Sequence, residues 1–212
     1  MSDNNELHAA INCGWVNKYD KENPPIYTTR YGKNIAYNSA RGWRNNDFGL
    51  DDFVEAVCID GHAFLPQIVN SKDVATTPDE YTNDDDFYFN GPYRAGKNFH
   101  QTNVVAVDID EQYESVDQLV DHPFFKQYGI LIYTTPSHNP DEGLIKCRLV
   151  FRTEYDIDNG KDLTFIYTAL IAVFGGDRAC TDPCRMFYGS KDSYYEVFPK
   201  KFLPWNEVKK LI

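Results

Sequence analysis

Long hydrophobic runs are missing from this chain: no stretch approaches the ~18 consecutive apolar residues that would suggest a membrane span. Nothing resembles a secretory leader either, because Met1 to Ala10 is polar and acidic. The protein is therefore expected in the cytoplasm, with no membrane partner. Cysteine is scarce and scattered. Cys13, Cys58, Cys147, Cys180 and Cys184 are odd in number, which excludes a disulfide scaffold and matches a reducing compartment. Cys180 and Cys184 lie close together, but no second pair at zinc spacing accompanies them, so we read them as reduced, packed thiols. Positive charge is also short, with 21 Lys and Arg against 32 Asp and Glu, a net charge of -11. Grip on nucleic acid comes from neutralising phosphates, so the chain as a whole is poorly suited to hold duplex DNA tightly. Internal repeats and low-complexity tracts are absent.

What is present is an ordinary globular composition, 42% hydrophobic and 25% charged over 212 residues. That length suits one large or two small interlocked domains. Much of the acid is local, with Asp79, Glu80, Asp84, Asp85 and Asp86 in a stretch from Ser71 to Asp86 that reads as a solvated loop. The cations recur in groups: Arg41 with Arg44, Arg94 with Lys97, and Lys146 with Arg148 and Arg152. A local basic groove on an acidic body is compatible with this pattern. Aromatics make up 15% of the chain; exposed Tyr and Phe can stack on bases, although most of the Phe are expected in the core.

In the first hundred residues, Leu50, Phe53, Val54, Val57 and Cys58 recur at helical spacing, with Gly61 as a stop. Short strands are expected at Ile35 to Tyr37 and at Ala63 to Val69. From Val104 the pattern sharpens. Val104 to Asp110 reads as a strand, and Ser115 caps a helix that Pro123 breaks or restarts. Ile130 to Thr135 is a second strand, rich in β-branched and aromatic residues. Pro136 to Gly143 is turn chemistry, Lys146 to Arg152 a third strand, and Lys161 to Phe174 a helix ended by Gly175 and Gly176. A fourth strand is expected to begin at Arg185 to Tyr188. The order β-α-β-β-α-β is the split βαβ arrangement shared by ferredoxin-like and RNA-recognition-motif-like (RRM-like) folds. In that topology the end of strand one, the hairpin between strands two and three, and the start of strand four share one edge of the sheet.

The polar outliers sit at those places. Asp108 and Asp110 flank Ile109, and side chains two apart on a strand share a face, roughly 7 Å apart at Cα. Such carboxylates can grip a pair of divalent ions for phosphoryl transfer, and hard oxygen ligands favour Mg²⁺ or Mn²⁺. The bland alternative is an acidic strand end facing water. Asp182 is expected to approach them from strand four, ahead of Arg185. Asp177 competes for that role, although the Gly175-Gly176 turn gives it a capping explanation; Asp182 has its own, because Asp-Pro pairs initiate turns. His138, with Ser137 beside it, occupies the hairpin turn and could hydrogen-bond a nucleotide phosphate. Lys146, Arg148 and Arg152 share one face of strand three, where they need an anion or a row of salt bridges. Arg94 and Lys97, just before strand one, are candidates for nucleic-acid phosphate.

Three motifs occur in order: the apolar strand ending Asp108-Ile109-Asp110; Pro136-Ser137-His138 followed by Lys146-Cys147-Arg148-Leu149-Val150-Phe151; and Asp182-Pro183-Cys184-Arg185-Met186-Phe187-Tyr188. Their order and spacing resemble the archaeo-eukaryotic primase superfamily, especially the primase-polymerases of plasmids, phages and mobile elements. The resemblance spans residues 104 to 190 and is vaguer upstream, at Tyr93 to Phe99. It implies an α+β fold in which an N-terminal α/β unit, residues 1–103, packs on an RRM-like catalytic unit, residues 104–212, with the active site in the cleft between. It further implies DNA primase and DNA polymerase activity by a two-metal mechanism on a single-stranded DNA template, using nucleoside triphosphates. Asp108, Asp110 and Asp182 would hold two Mg²⁺ or Mn²⁺ ions, and Ser137, His138, Lys146, Arg148 and Arg185 would face the nucleotide. Arg94 and Lys97 would contact the nucleic acid, and a helicase or other replication proteins would be partners. A metal-dependent nuclease, or a non-catalytic single-strand binder whose sheet face stacks bases, are the rival readings.

Overall fold

A computed structural model describes residues 6–18, 26–36, 39–69, 91–110 and 112–211. The acidic stretch around Asp79 to Asp86 lies outside them, as does Tyr37. The described chain is mixed α/β with antiparallel sheets. It begins with β1 (Leu7–Val16), the small hairpin β2 (Ile26–Thr28) and β3 (Asn34–Ala36), and β4 (Arg44–Phe48). Helix α1 (Leu50–Val54) runs on as a π-helical turn (Glu55–Ile59), burying Phe53, Val54, Val57 and Cys58 as their spacing demands. Gly61 ends it with φ +77, a left-handed conformation that suits glycine. Strands β5 (His62–Leu65) and β6 (Gln67–Ile68) follow.

The long strand β7 (Phe99–Asp110) starts five residues before the apolar run that announces it. The division expected at 103/104 therefore falls inside a strand. Helix α2 (Val116–Val120) is capped by the Ser115 hydroxyl, which accepts from the Gln118 amide. Pro123 opens α3 (Pro123–Tyr128), where its missing N–H costs nothing. Then come β8 (Gly129–Thr134), β9 (Lys146–Ile157), α4 (Gly160–Phe174), β10 (Tyr195–Val197) and α5 (Trp205–Lys209).

The strands form a three-stranded sheet, β4-β1-β5, and a five-stranded sheet, β10-β8-β9-β7-β6. The order β8-β9-β7 is that of strands two, three and one in the expected arrangement. Strand four departs from it. Residues 185–188 do not pair with β7, whose edge is met by β6 only at its start, through Gln67 opposite Gln101 and Ile68 opposite Phe99. Instead Phe187 exchanges two backbone hydrogen bonds with Phe64 of β5, both 2.8 Å, and their rings stack at 5.3 Å. Beyond it β10 adds to the opposite edge, beside β8.

One hydrophobic cluster joins the two sheets. Leu7, Ile11, Phe53 and Phe64 from the N-terminal part share it with β7, β8, β9 and α4. On the helical side Phe124, Phe125, Phe151 and Phe174 pack ring against ring. All six residues of β8 are buried, so both faces of the large sheet are covered there. Among the described residues no helix is long and apolar enough to cross a membrane.

Candidate active site

Antiparallel register sets the first part of the site. Asp108 of β7 lies opposite Arg148 of β9, and Asp110 opposite Lys146. Directly opposed residues in such a ladder are close enough for their side chains to meet. Arg148 Nε donates to Asp108 Oδ1 at 2.6 Å, and its Nη2 donates to the same oxygen. Its Nη1 donates to the Tyr133 hydroxyl at 2.9 Å and to the Tyr188 carbonyl. The guanidinium, in a residue only 4% exposed, also lies over the Tyr133 and Phe187 rings. Burial alone would lower the Arg148 pKa, but the Asp108 carboxylate outweighs it and raises the value above normal. All three guanidinium nitrogens are thus engaged within the protein, and Arg148 lines the cavity described below. The Asp110–Lys146 pair is looser, at 3.5 Å and more exposed.

The second part comes from the turn after α4. Gly175 takes the left-handed conformation, φ +67, and closes the helix. Gly176 matters for a different reason: a Cβ there would meet Val107 Cγ1 at 2.5 Å and the Asp108 carbonyl at 2.8 Å. Without that atom the turn lies against β7, and the Asp177 amide donates to the Asp108 carbonyl at 3.2 Å. Asp177 is thus the third carboxylate beside Asp108. Its pKa is held below the usual carboxylate range by the Ala179 amide first, then by the Cys180 thiol and Arg185.

Cys180 Sγ lies 3.2 Å from Asp177 Oδ2 and 3.8 Å from Asp108 Oδ2. Burial, with Asp108 second, pushes the thiol up to about 12, so it stays protonated and donates. All five cysteines are free; only Cys13 is exposed.

An open cavity of about 210 Å³ gathers these groups. It is lined by Asp108, Asp110 and Asp177; by Lys146, Arg148 and Arg185; by Ser137 with its hairpin neighbours; and by Met186 and Tyr188. Lys18, just beyond β1, also lines it, a contribution from the N-terminal part that no motif announced. Arg185 Nη2 stands 3.8 Å from Asp108 Oδ2 and 4.0 Å from Asp177 Oδ2, so the two carboxylates already converge on one cationic position. Carboxylate oxygens of this kind are the hard donors that divalent ions such as Mg²⁺ or Mn²⁺ take. As they stand, no group of three or more His, Cys, Asp or Glu among the described residues is arranged to hold a metal ion.

The other expected residues lie elsewhere or act differently. Asp182 does not line the cavity. It is exposed, its Oδ1 accepts from the Cys184 amide at 2.7 Å and its carbonyl from the Arg185 amide at 2.9 Å. This is the turn geometry that Asp-Pro favours. His138 Nδ1 accepts from the Lys146 amide at 3.1 Å, which leaves the proton of the neutral ring on Nε2. Partial burial lowers its pKa and keeps the ring neutral. His138 therefore closes the hairpin onto β9 and is not among the cavity-lining residues. Arg94 Nε donates to the Cys184 carbonyl at 2.8 Å, bracing the turn that carries Arg185, while Lys97 is exposed. Arg152 lines a separate cavity with Asp51 and Asp52.

No protein-family model matches the chain, and no curated protein matches it in sequence. Among solved structures, the AEP domain of the cyanophage S-2L primase-polymerase aligns over 99% of this chain and 90% of that one, with 10% sequence identity and a TM-score of 0.44.

Proposed function

We propose that the chain is a nucleotidyltransferase of the primase-polymerase kind, joining nucleotides from triphosphates along a single-stranded DNA template. The observation that carries this reading is the convergence of Asp108, Asp110 and Asp177 with Lys146 and Arg185 in one open cavity. Phosphoryl transfer asks little covalent chemistry of a protein; it needs positioned groups and compensated charge. Asp108, Asp110 and Asp177 are the residues that would hold Mg²⁺ or Mn²⁺. Such ions, when bound, activate the attacking oxygen and offset charge on the leaving phosphates.

The chain's own groups divide the remaining work. Lys146 and Arg185, with the Ser137 hydroxyl, face the position of an incoming triphosphate. Arg148 is a positioning residue: its Nε and Nη2 hold the Asp108 carboxylate in one orientation. His138 fixes the hairpin that carries Ser137, with Nε2–H left to donate. Met186 and Tyr188 supply the apolar wall. Along β8 the sheet offers no ring for stacking, because all six of its residues are buried.

The test is nucleotide incorporation on a single-stranded template, with and without primer, using ribo- and deoxynucleoside triphosphates and Mg²⁺ or Mn²⁺. Ion-dependent extension by the native protein is expected, lost in Asp177→Asn and kept in Asp182→Asn. Shortening of the strand without triphosphates would assign a nuclease to the same carboxylates instead.

A further inference from the structure

From Asn23 to Asn46 the chain contains no Asp or Glu, although acids outnumber bases overall. Arg30, Lys33, Arg41 and Arg44 fall in this stretch, interleaved with Tyr27, Tyr31, Tyr37 and Trp43. Trp43 is buried in the core. The hairpin of β2 and β3 presents the rest of the described pattern differently. Its loop is locally determined: the Gly32 amide donates to the Thr29 carbonyl at 2.8 Å, the Thr29 amide to the Lys33 carbonyl at 2.9 Å, and the Lys33 amide to the Thr29 hydroxyl at 3.1 Å. Gly32 supplies the left-handed residue, φ +77, that three-residue hairpin loops require.

At the tip Tyr31 is 80% exposed, more than any other large hydrophobic residue among those described. The Arg30 guanidinium lies over its ring at 4.7 Å and donates to its hydroxyl at 2.7 Å, and Lys33 is exposed beside it. The hairpin tip thus presents an exposed aromatic ring with one cation at its face and a second, exposed cation two residues on, on a protein that is otherwise anionic.

We infer that the β2–β3 hairpin binds single-stranded nucleic acid, in which Tyr31 stacks on a base and Arg30 and Lys33 neutralise neighbouring phosphates. The combination of a π surface with flanking cations is what a flexible strand needs, since every nucleotide offers a base face and a phosphate. Binding there needs neither metal ion nor triphosphate, so it stands apart from the transfer chemistry.

The experiment is fluorescence anisotropy of a labelled oligothymidylate across a salt series, without divalent ion or triphosphate. Tyr31→Ala is expected to weaken binding roughly five- to hundredfold, the usual worth of one stacked base, with Tyr31→Phe close to native. Arg30→Glu/Lys33→Glu should flatten the slope of log affinity against log salt by about 1.4, since each phosphate that is no longer neutralised removes about 0.7. These side chains lie outside the core, and a thermal melt checks that the variants remain folded. Native affinity in Tyr31→Ala, or an unchanged salt slope in the double variant, would overturn the inference. So would equal binding to phosphatidylserine vesicles, abolished in the same variants. Because the readout requires no catalysis, it is decided whether or not nucleotide incorporation is found.

Discussion

Two ion pairs stand side by side on the same strand pair and could hardly differ more. Asp108–Arg148 is nearly enclosed, with 17% and 5% of the side chains exposed and every guanidinium nitrogen engaged; Asp110–Lys146 is open, at 56% and 22%. An Asp-x-Asp motif thus contains two unlike residues. The inner aspartate is also part of the fold's interior, while the outer one is free to serve the cavity. The lesson for mutagenesis is that loss of activity in an Asp108 variant cannot be read as chemistry alone.

The largest effect should come from splitting the inner pair. Removing one partner of a buried ion pair typically costs ~3–5 kcal/mol, because the other charge is left uncompensated. Arg148→Ala is expected to melt far below the native protein. Asp110→Ala should stay within ~1 kcal/mol, as exposed pairs do. Thermal or urea unfolding checks both; equal losses would erase the distinction between the pairs.

Next in size are the carboxylates in their chemical role. Asp110→Asn and Asp177→Asn should lose ~100-fold or more in incorporation rate, the usual scale for one pre-organised electrostatic group, with melting near native for Asp110→Asn. A rate close to native in Asp177→Asn would return the third carboxylate to Asp182.

Gly176→Ala probes the approach that brings Asp177 to Asp108. The added methyl collides with Val107 and with backbone, and overpacking of this kind costs ~1–3 kcal/mol. Incorporation should fall as well, because the turn must retreat from β7. A native melting curve would show that the turn has room to spare.

The smallest effect concerns pH. Burial holds the His138 pKa below its ordinary value of about 6.5, so the unfolded chain takes up a proton first as pH falls. The stability contributed by the neutral ring is present above pH ~6.5 and lost as pH drops through the folded value. The melting difference between native protein and His138→Gln should shrink from pH ~8 to ~5, and a constant difference would remove His138 as its source.

The C-terminal half was largely legible in the sequence. Alternation and turn residues located β7, β8 and β9, and Ser115, Pro123 and Gly175 marked helix ends, because these are local signals. The cross-strand pairing of Asp108 with Arg148 was foreseeable as a salt bridge, since three cations on one strand face require partners. What remained hidden depends on distant parts of the chain meeting. Nothing local to residues 185–188 says that Phe187 will pair with Phe64, or that two residues of β6 will meet the start of β7. The placement of Asp177 beside Asp108 turned on Gly176, which reads as an ordinary helix stop until the space against Val107 is seen. Lys18 carried no signal at all; only the fold brings the end of β1 to the cavity.

Strand β6 is two residues long, yet it has a consequence for how the chain tolerates cutting. The large sheet draws one edge from before residues 70–90 and its other four strands from after them, and Phe64 is laced to Phe187 across the same interval. A protease nick between Val69 and Gly91 would sever the backbone without separating the halves, which remain bound through a shared core. Co-expressed fragments broken there should reassemble as a complementing pair, and neither alone would keep its apolar surface covered.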